Sequence, residues 1–82
     1  MRVWFITGAS RGFGARITAE ALKRGDAVIA TARDPSAVTK QFGQHDRLLA
    51  VKLDVSNEAQ AHEAAGAAVK KFGGIDILVN NA

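Results

Sequence analysis

The residues whose types and spacing could do chemistry sit near the amino end, in Thr7-Gly8-Ala9-Ser10-Arg11-Gly12-Phe13-Gly14. An apolar run, Val3-Trp4-Phe5-Ile6, precedes this stretch and a segment of helical periodicity follows it, so three glycines fall at a strand-to-helix turn. Glycine there lets the backbone turn sharply and lets an anion reach main-chain N–H groups that a Cβ would shield. A helix beginning at about Phe13 aims its unpaired first-turn N–H groups and its positive dipole end at that anion. The chemistry on offer is the cradling of a phosphate or pyrophosphate, and the plain alternative is a glycine turn that serves only a tight strand–helix joint.

Spacing separates this loop from its relatives. The dinucleotide fingerprint G-x-G-x-x-G needs a glycine where Ser10 stands, and a P-loop needs Gly-Lys-Ser/Thr where the chain reads Phe13-Gly14-Ala15. What stands here is T-G-x-x-x-G-x-G containing Gly-Ala-Ser-Arg-Gly, which closely resembles the cofactor loop of the short-chain dehydrogenase/reductase family. That resemblance implies a Rossmann-like fold and cofactor contacts from Gly8, Ser10, Arg11, Gly12, Phe13 and Gly14.

The resemblance extends along the chain. Ala32 stands where NAD-using members place a carboxylate for the adenosine ribose hydroxyls, and Arg33 follows it. A guanidinium beside an uncharged residue suits a dianionic 2′-phosphate, and Arg11 in the loop is also a residue type associated with NADP-using members. The expectation is NADP(H) in preference to NAD, unless Arg33 is only a loop arginine paired with Asp34. Leu53-Asp54-Val55 matches the position whose Asp receives the adenine amino group while the next backbone N–H meets the ring; the alternative is that Asp54 caps the following helix. Asn80-Asn81-Ala82 matches the start of the family's Asn-Asn-Ala-Gly motif, which implies that Asn81 and Ala82 line the cofactor cleft while Asn80 and Thr7 tie the central strands together.

These positions need a scaffold, and the pattern supplies one. Arg2 to Thr7 reads as a strand buried on both faces. Phe13, Ile17, Ala21 and Leu22 then line one side of a helix that Gly25 ends. Ala27 to Thr31 is a second strand, and Asp34-Pro35 reads as N-cap and first residue of a short helix reaching about Phe42 and stopped by Gly43. Leu48 to Leu53 is a third strand. Ser56 or Asn57 then caps a helix with Ala61, Ala65, Ala68, Val69 and Phe72 at helical spacing, ended by Gly73-Gly74, and Ile75 to Val79 is a fourth strand. The alternation β-α-β-α-β-α-β with right-handed crossovers predicts an α/β, doubly wound parallel sheet of order 3-2-1-4, with the fourth strand at an edge.

Composition narrows the classes. Eighty-two residues at 48% hydrophobic and 23% charged, with one proline, describe a globular chain or part of one, not a disordered segment. The absence of cysteine excludes disulfides and thiolate metal sites and is compatible with a reducing cytoplasm, the expected location. The apolar run near Met1 is too short for a secretion signal or a membrane span. The net charge of +3 is dispersed, and the pairs Lys23-Arg24 and Lys70-Lys71 fall at expected helix ends, where they complement the dipole. Nucleic-acid binding would want a basic stripe interleaved with stacking aromatics, but the chain has no tyrosine, and Trp4 and Phe5 lie inside a strand. His45 and His62 read as surface residues, and no spacing suggests a metal site.

The resemblance further implies hydride exchange between a nicotinamide and a small-molecule carbonyl or alcohol, with a Tyr-x-x-x-Lys pair and a serine as catalytic groups. This chain has no tyrosine, and Ser10, Ser36 and Ser56 lie in the loop or at helix starts, so no catalytic residue is assigned. The expectation is that residues 1–82 form the N-terminal part of one dinucleotide-binding domain, ending inside the Asn-Asn-Ala-Gly motif, of an enzyme whose missing half builds the substrate pocket and homo-oligomer contacts. Two other readings stand beside it: a non-catalytic NADP-sensing protein on the same fold, and a methyltransferase-like nucleotide binder. The latter wants an acid after the second strand, against which Ala32-Arg33 argues.

Overall fold

The computed structural model describes residues 1–81, so the expectation for Ala82 lies outside the described residues. The elements are β1 (Val3–Ile6), α1 (Gly12–Lys23), β2 (Ala27–Ala32), α2 (Pro35–Phe42), β3 (Leu48–Lys52), α3 (Glu58–Phe72) and β4 (Ile77–Val79). The strands are parallel in the order β3-β2-β1-β4, as the alternation predicts. Val3 pairs with Ala27 and Ile6 with Ala30; Val28 pairs with Leu48 and Ala32 with Lys52; Trp4 pairs with Ile77.

Successive strand residues point to opposite faces, so the sheet has two cores. Ile6, Val28, Ala30 and Leu48 pack with Ala21 of α1 and Val38 of α2 on one face. Val3, Phe5, Ala27 and Ile29 pack with Ala64 and Ala68 of α3 on the other. β2 is buried along its whole length, as a central strand covered on both faces must be. Helix ends follow the local signals. Asp34 accepts the Ser36 N–H at 3.0 Å with Pro35 as the first helical residue, Asn57 accepts the Gln60 N–H at 3.1 Å, and the helices stop at Gly25, Gly43 and Gly73.

Two helices are rotated from expectation. α1 buries Gly14, Thr18 and Ala21, leaves Ile17 and Leu22 half-buried, and turns Phe13 outward with 69% of its surface exposed. The small residues face inward because the start of this helix lies too close to the loop after β1 to admit a ring. α3 buries Ala64 and Ala68 with Phe72 half-buried, whereas Ala61 and Val69 are exposed. Alanines surround this helix, so periodicity alone does not single out the stripe that fits the sheet. β4 is the expected edge strand but is shorter than expected, with Ile75 outside it and Leu78 exposed.

At the amino end of the sheet, carboxylates replace missing main-chain partners. Asp26 accepts the Arg2 N–H and the Trp4 indole N–H, both at 3.0 Å, and Asp76 accepts the Val3 N–H at 2.7 Å while donating its own N–H to the Val3 carbonyl. Arg47 donates to the Leu22 and Asp26 carbonyls and closes the turn between α1 and β2. The Arg2 N–H and then the Trp4 indole hold the Asp26 carboxyl below the usual range. A depressed native value contributes stability above the ordinary aspartate pKa of about 3.9, lost as pH falls through the lower folded value. Asp26→Asn is therefore expected to melt at a lower temperature than the parent at pH 7, with the gap closing as the medium is acidified below about pH 4. Thermal melts followed by circular dichroism across pH check this; a gap independent of pH would overturn it.

Candidate functional site

A parallel sheet sends every strand's carboxyl end to the same side, and there the loops after β1, β2 and β3 converge. Between them lies a cavity of about 370 Å³ lined by Gly8, Ser10, Arg11, Ala32, Arg33, Asp34, Leu53 and Val55. Sequence positions far apart in the chain are thus brought together as expected for Gly8, Ser10, Arg11, Arg33 and Val55. A larger hollow of about 880 Å³ lies beside the start of β3, lined in part by His45, Arg47 and Lys71, and contains none of the expected site residues.

Hydrogen bonds from three strands hold the glycine loop. The Thr7 N–H donates to the Val79 carbonyl at 3.0 Å, the Ala9 N–H to the Thr31 carbonyl at 2.9 Å, and the Thr31 hydroxyl to the Ile6 carbonyl at 2.9 Å. Gly8 and Gly12 adopt φ of 61° and 54°, the left-handed region that the turn requires. α1 then begins without a capping side chain and with no acid in its first turn, so its first N–H groups and positive dipole end remain for an anion.

Gly14 has a different role. A Cβ there would overlap the Gly8 carbonyl oxygen and stand 2.7 Å from Asn81 Nδ2. Asn81 donates its side-chain amide to that carbonyl at 3.4 Å and its backbone N–H to the Thr7 hydroxyl at 2.7 Å. The Thr7 hydroxyl has one proton to give and faces the Val79 carbonyl at 3.3 Å and Asn80 Oδ1 at 3.2 Å. The expected tie between Thr7 and Asn80 is present, and Asn81 braces the loop.

The other expected residues are distributed around this centre. Gly12 and Phe13 border a separate hollow of about 210 Å³ with Arg16. Asp54 accepts the Ser56 N–H at 3.0 Å and the Ser56 hydroxyl at 2.7 Å, a turn that leads to the true cap, Asn57. Asp34 makes the same turn with Ser36, so it does not pair with Arg33. Among the described residues the ion pair is Arg24 with Glu20 at 3.6 Å, which leaves Arg11 and Arg33 without a carboxylate partner. The Ser56 hydroxyl and N–H hold the Asp54 carboxyl below its usual range, with a smaller contribution from the Arg33 charge. Among the described residues no cluster of three metal-ligating side chains exists, and no helix is long and apolar enough to cross a membrane.

Sequence reasoning missed Gln60, whose side-chain oxygen accepts the Asp54 N–H at 2.7 Å and fixes the turn after β3. Asn57-x-x-Gln60 has capping-box spacing, which would turn the Gln60 side chain back to the Asn57 N–H; the structure sends it to the Asp54 N–H instead, and the Asn57 N–H donates to the Asp54 carbonyl. The glycines give a differential test. Gly14→Ala is expected to cost about 1–3 kcal/mol through overpacking against Gly8 and Asn81, and to perturb the amide resonances of Asn81. Gly12→Ala strains only its own φ, at about 1–2 kcal/mol, and leaves Asn81 alone. Denaturation melts and backbone NMR distinguish the two; an undisturbed Asn81 in Gly14→Ala would refute the close approach.

Residues 2–82 match the family profile described as short chain dehydrogenase. The chain is 46% identical over 84 residues to Oxidoreductase BOA17 of Botryotinia fuckeliana, covering 99% of this chain and 30% of that protein. The crystal structure of 3-ketoacyl-(acyl-carrier-protein) reductase from Brucella melitensis complexed with NADH superposes with a TM-score of 0.91 at 43% identity, over 99% of this chain and 34% of that one. The C-domain of a bacterial malonyl-CoA reductase with NADP superposes at 0.86 and 31% identity, over 99% of this chain and 14% of that one. The chain thus spans about a third or less of the proteins it resembles. A profile match over nearly its whole length, on a sheet of the same strand order, makes this chain a member of the short chain dehydrogenase family.

Proposed function

We propose that this chain is the NADP(H)-binding portion of an oxidoreductase that interconverts a carbonyl and an alcohol, and that it holds the adenosine and pyrophosphate half of the cofactor. The observation that carries this reading is the 370 Å³ cavity, which the glycine loop, Arg11, uncharged Ala32 and Arg33 line together. The cradle fits the group. The loop backbone and the uncapped start of α1 suit a pyrophosphate, Gly14 admits no side chain between loop and helix, and two arginines without carboxylate partners suit an additional phosphate. When bound, the dinucleotide supplies or accepts a hydride. The chain's own residues bind and orient it: main-chain N–H groups of the loop neutralise the pyrophosphate, Arg33 and Arg11 take the 2′-phosphate, and Val55 and Leu53 line the adenine side.

Asp54 belongs to the same reading with a narrower role. Its Oδ1 is occupied by Ser56, so recognition of the adenine amine falls to Oδ2. The carbonyl substrate, the acid/base groups and a homo-oligomeric assembly belong to the larger enzyme of which residues 1–82 would be the N-terminal part. The absence of cysteine accords with a cytoplasmic setting.

The test is cofactor discrimination by the purified protein. Ala32→Asp combined with Arg33→Ala places a carboxylate against the phosphate and removes its partner. NADPH affinity relative to NADH is expected to fall by roughly ten- to a hundred-fold, the value of one charge-assisted hydrogen bond. Fluorescence titration with each cofactor measures the ratio, and an unchanged ratio would overturn the assignment.

A further inference from the structure

We propose that Lys52, at the end of β3, is a second reader of the cofactor's 2′-phosphate, acting from the strand beside Arg33; this rests on the NADP(H) reading above. The register carries it. Lys52 is the direct partner of Ala32 across the parallel pair β2–β3, and the Leu53 N–H donates to the Ala32 carbonyl at 2.9 Å, which pins the two strand ends side by side. Register partners present their side chains to the same face, about 5 Å apart. Lys52 does not itself line the cavity, but a lysine stem is longer than that separation and can extend the ammonium over Ala32 toward the position that Arg33 adjoins.

Residue 32 decides what Lys52 is for. A carboxylate at that position would stand across the strands from Lys52 and pair with it. Alanine supplies no such partner, and Ala32, only 5% exposed, fills little space. Lys52 itself is exposed and takes no part in the ion pair of the described residues. No carboxylate pairs with it at ion-pair distance among the described residues; Asp34 accepts from the Ser36 N–H and hydroxyl, and Asp54 from the corresponding groups of Ser56. The charges cross between the strands. The Asp34 carboxyl, held down first by Ser36, is lowered further by Lys40 and Lys52, while Arg33 acts on Asp54. With Lys52 on the same rung as Ala32 and Arg33 next in the chain, a dianion arriving over Ala32 would meet Arg33 from β2 and Lys52 from β3.

A lysine on an outer strand also discourages association through the sheet edge. That role does not distinguish one dinucleotide from another, and the test uses the difference. Dissociation constants for NADPH and NADH are measured with the parent protein, Arg33→Ala, Lys52→Gln and Lys52→Arg, at low and high salt. Lys52→Gln keeps much of the stem, and its melting temperature is expected to match that of the parent. The expected result is a loss of NADPH affinity of roughly three- to ten-fold in Lys52→Gln, the range of a solvated charge contact to phosphate. NADH affinity stays unchanged, Lys52→Arg restores NADPH binding, and the effect shrinks in high salt. Equal loss for both cofactors, or no loss in Lys52→Gln alongside a selective loss in Arg33→Ala, overturns the role of Lys52 and leaves the cofactor reading intact. A parent protein that binds NADPH no better than NADH overturns both.

Discussion

The structure depends on how closely the start of α1 approaches the loop after β1. At Gly14 there is no room for a single methyl group, because the Gly8 carbonyl and the Asn81 amide occupy the space. Everything near the cavity follows from that contact. The helix must present Gly14, Thr18 and Ala21 to the sheet, which sends Phe13 outward. Thr18 meets the crowding by donating its hydroxyl back to the Gly14 carbonyl at 2.8 Å, so no buried polar atom is left unpaired there. The same contact brings the end of β4 under the loop, where Asn81 and Thr7 lock β4 to β1 beyond the last ladder hydrogen bond.

The two ends of the sheet solve opposite electrostatic problems. At the amino end, strand N–H groups lack neighbours, and Asp26 and Asp76 supply acceptors, with Asp26 also holding the Trp4 indole. At the carboxyl end, helix starts already concentrate partial positive charge, and Arg11 and Arg33 add to it. Aspartates are present there too, but the local chain consumes them. Asp34-Pro35-Ser36 and Asp54-Val55-Ser56 form the same turn, each carboxylate taking a serine N–H and hydroxyl. Held in this way, the acids shape the cavity rim and form no ion pair with Arg11 or Arg33.

Much of this was legible in the residues because it is local. The N-cap at Asp34, the choice of Ser56 or Asn57 that the structure resolves as Asn57, the stops at Gly43 and Gly73, and the strand-turn-helix around Gly8, Gly12 and Gly14 each depend on a few consecutive residues. The sheet order followed from the alternation of elements, since right-handed crossovers leave few topologies. The helix faces were less legible. α3 carries alanine on several sides, so its hydrophobic pattern permits more than one orientation, and Phe13 reads as a core residue until the crowding at Gly14 is known.

The sequence by itself determined which segments are strands and helices, where the helices start and stop, and that a glycine loop would meet an uncharged strand end followed by an arginine, because these rest on backbone conformation and nearest-neighbour hydrogen bonds. The tertiary structure alone decided which face of α1 and α3 is buried, that Asn81 braces Gly8, that Gln60 holds Asp54, and that Lys52 stands beside Ala32. These pairs are six to seventy-three residues apart in the chain for the bonded contacts, and only strand register and packing fix their distances. A side chain's neighbours across a sheet are set by which residues share a rung, and no local propensity encodes that.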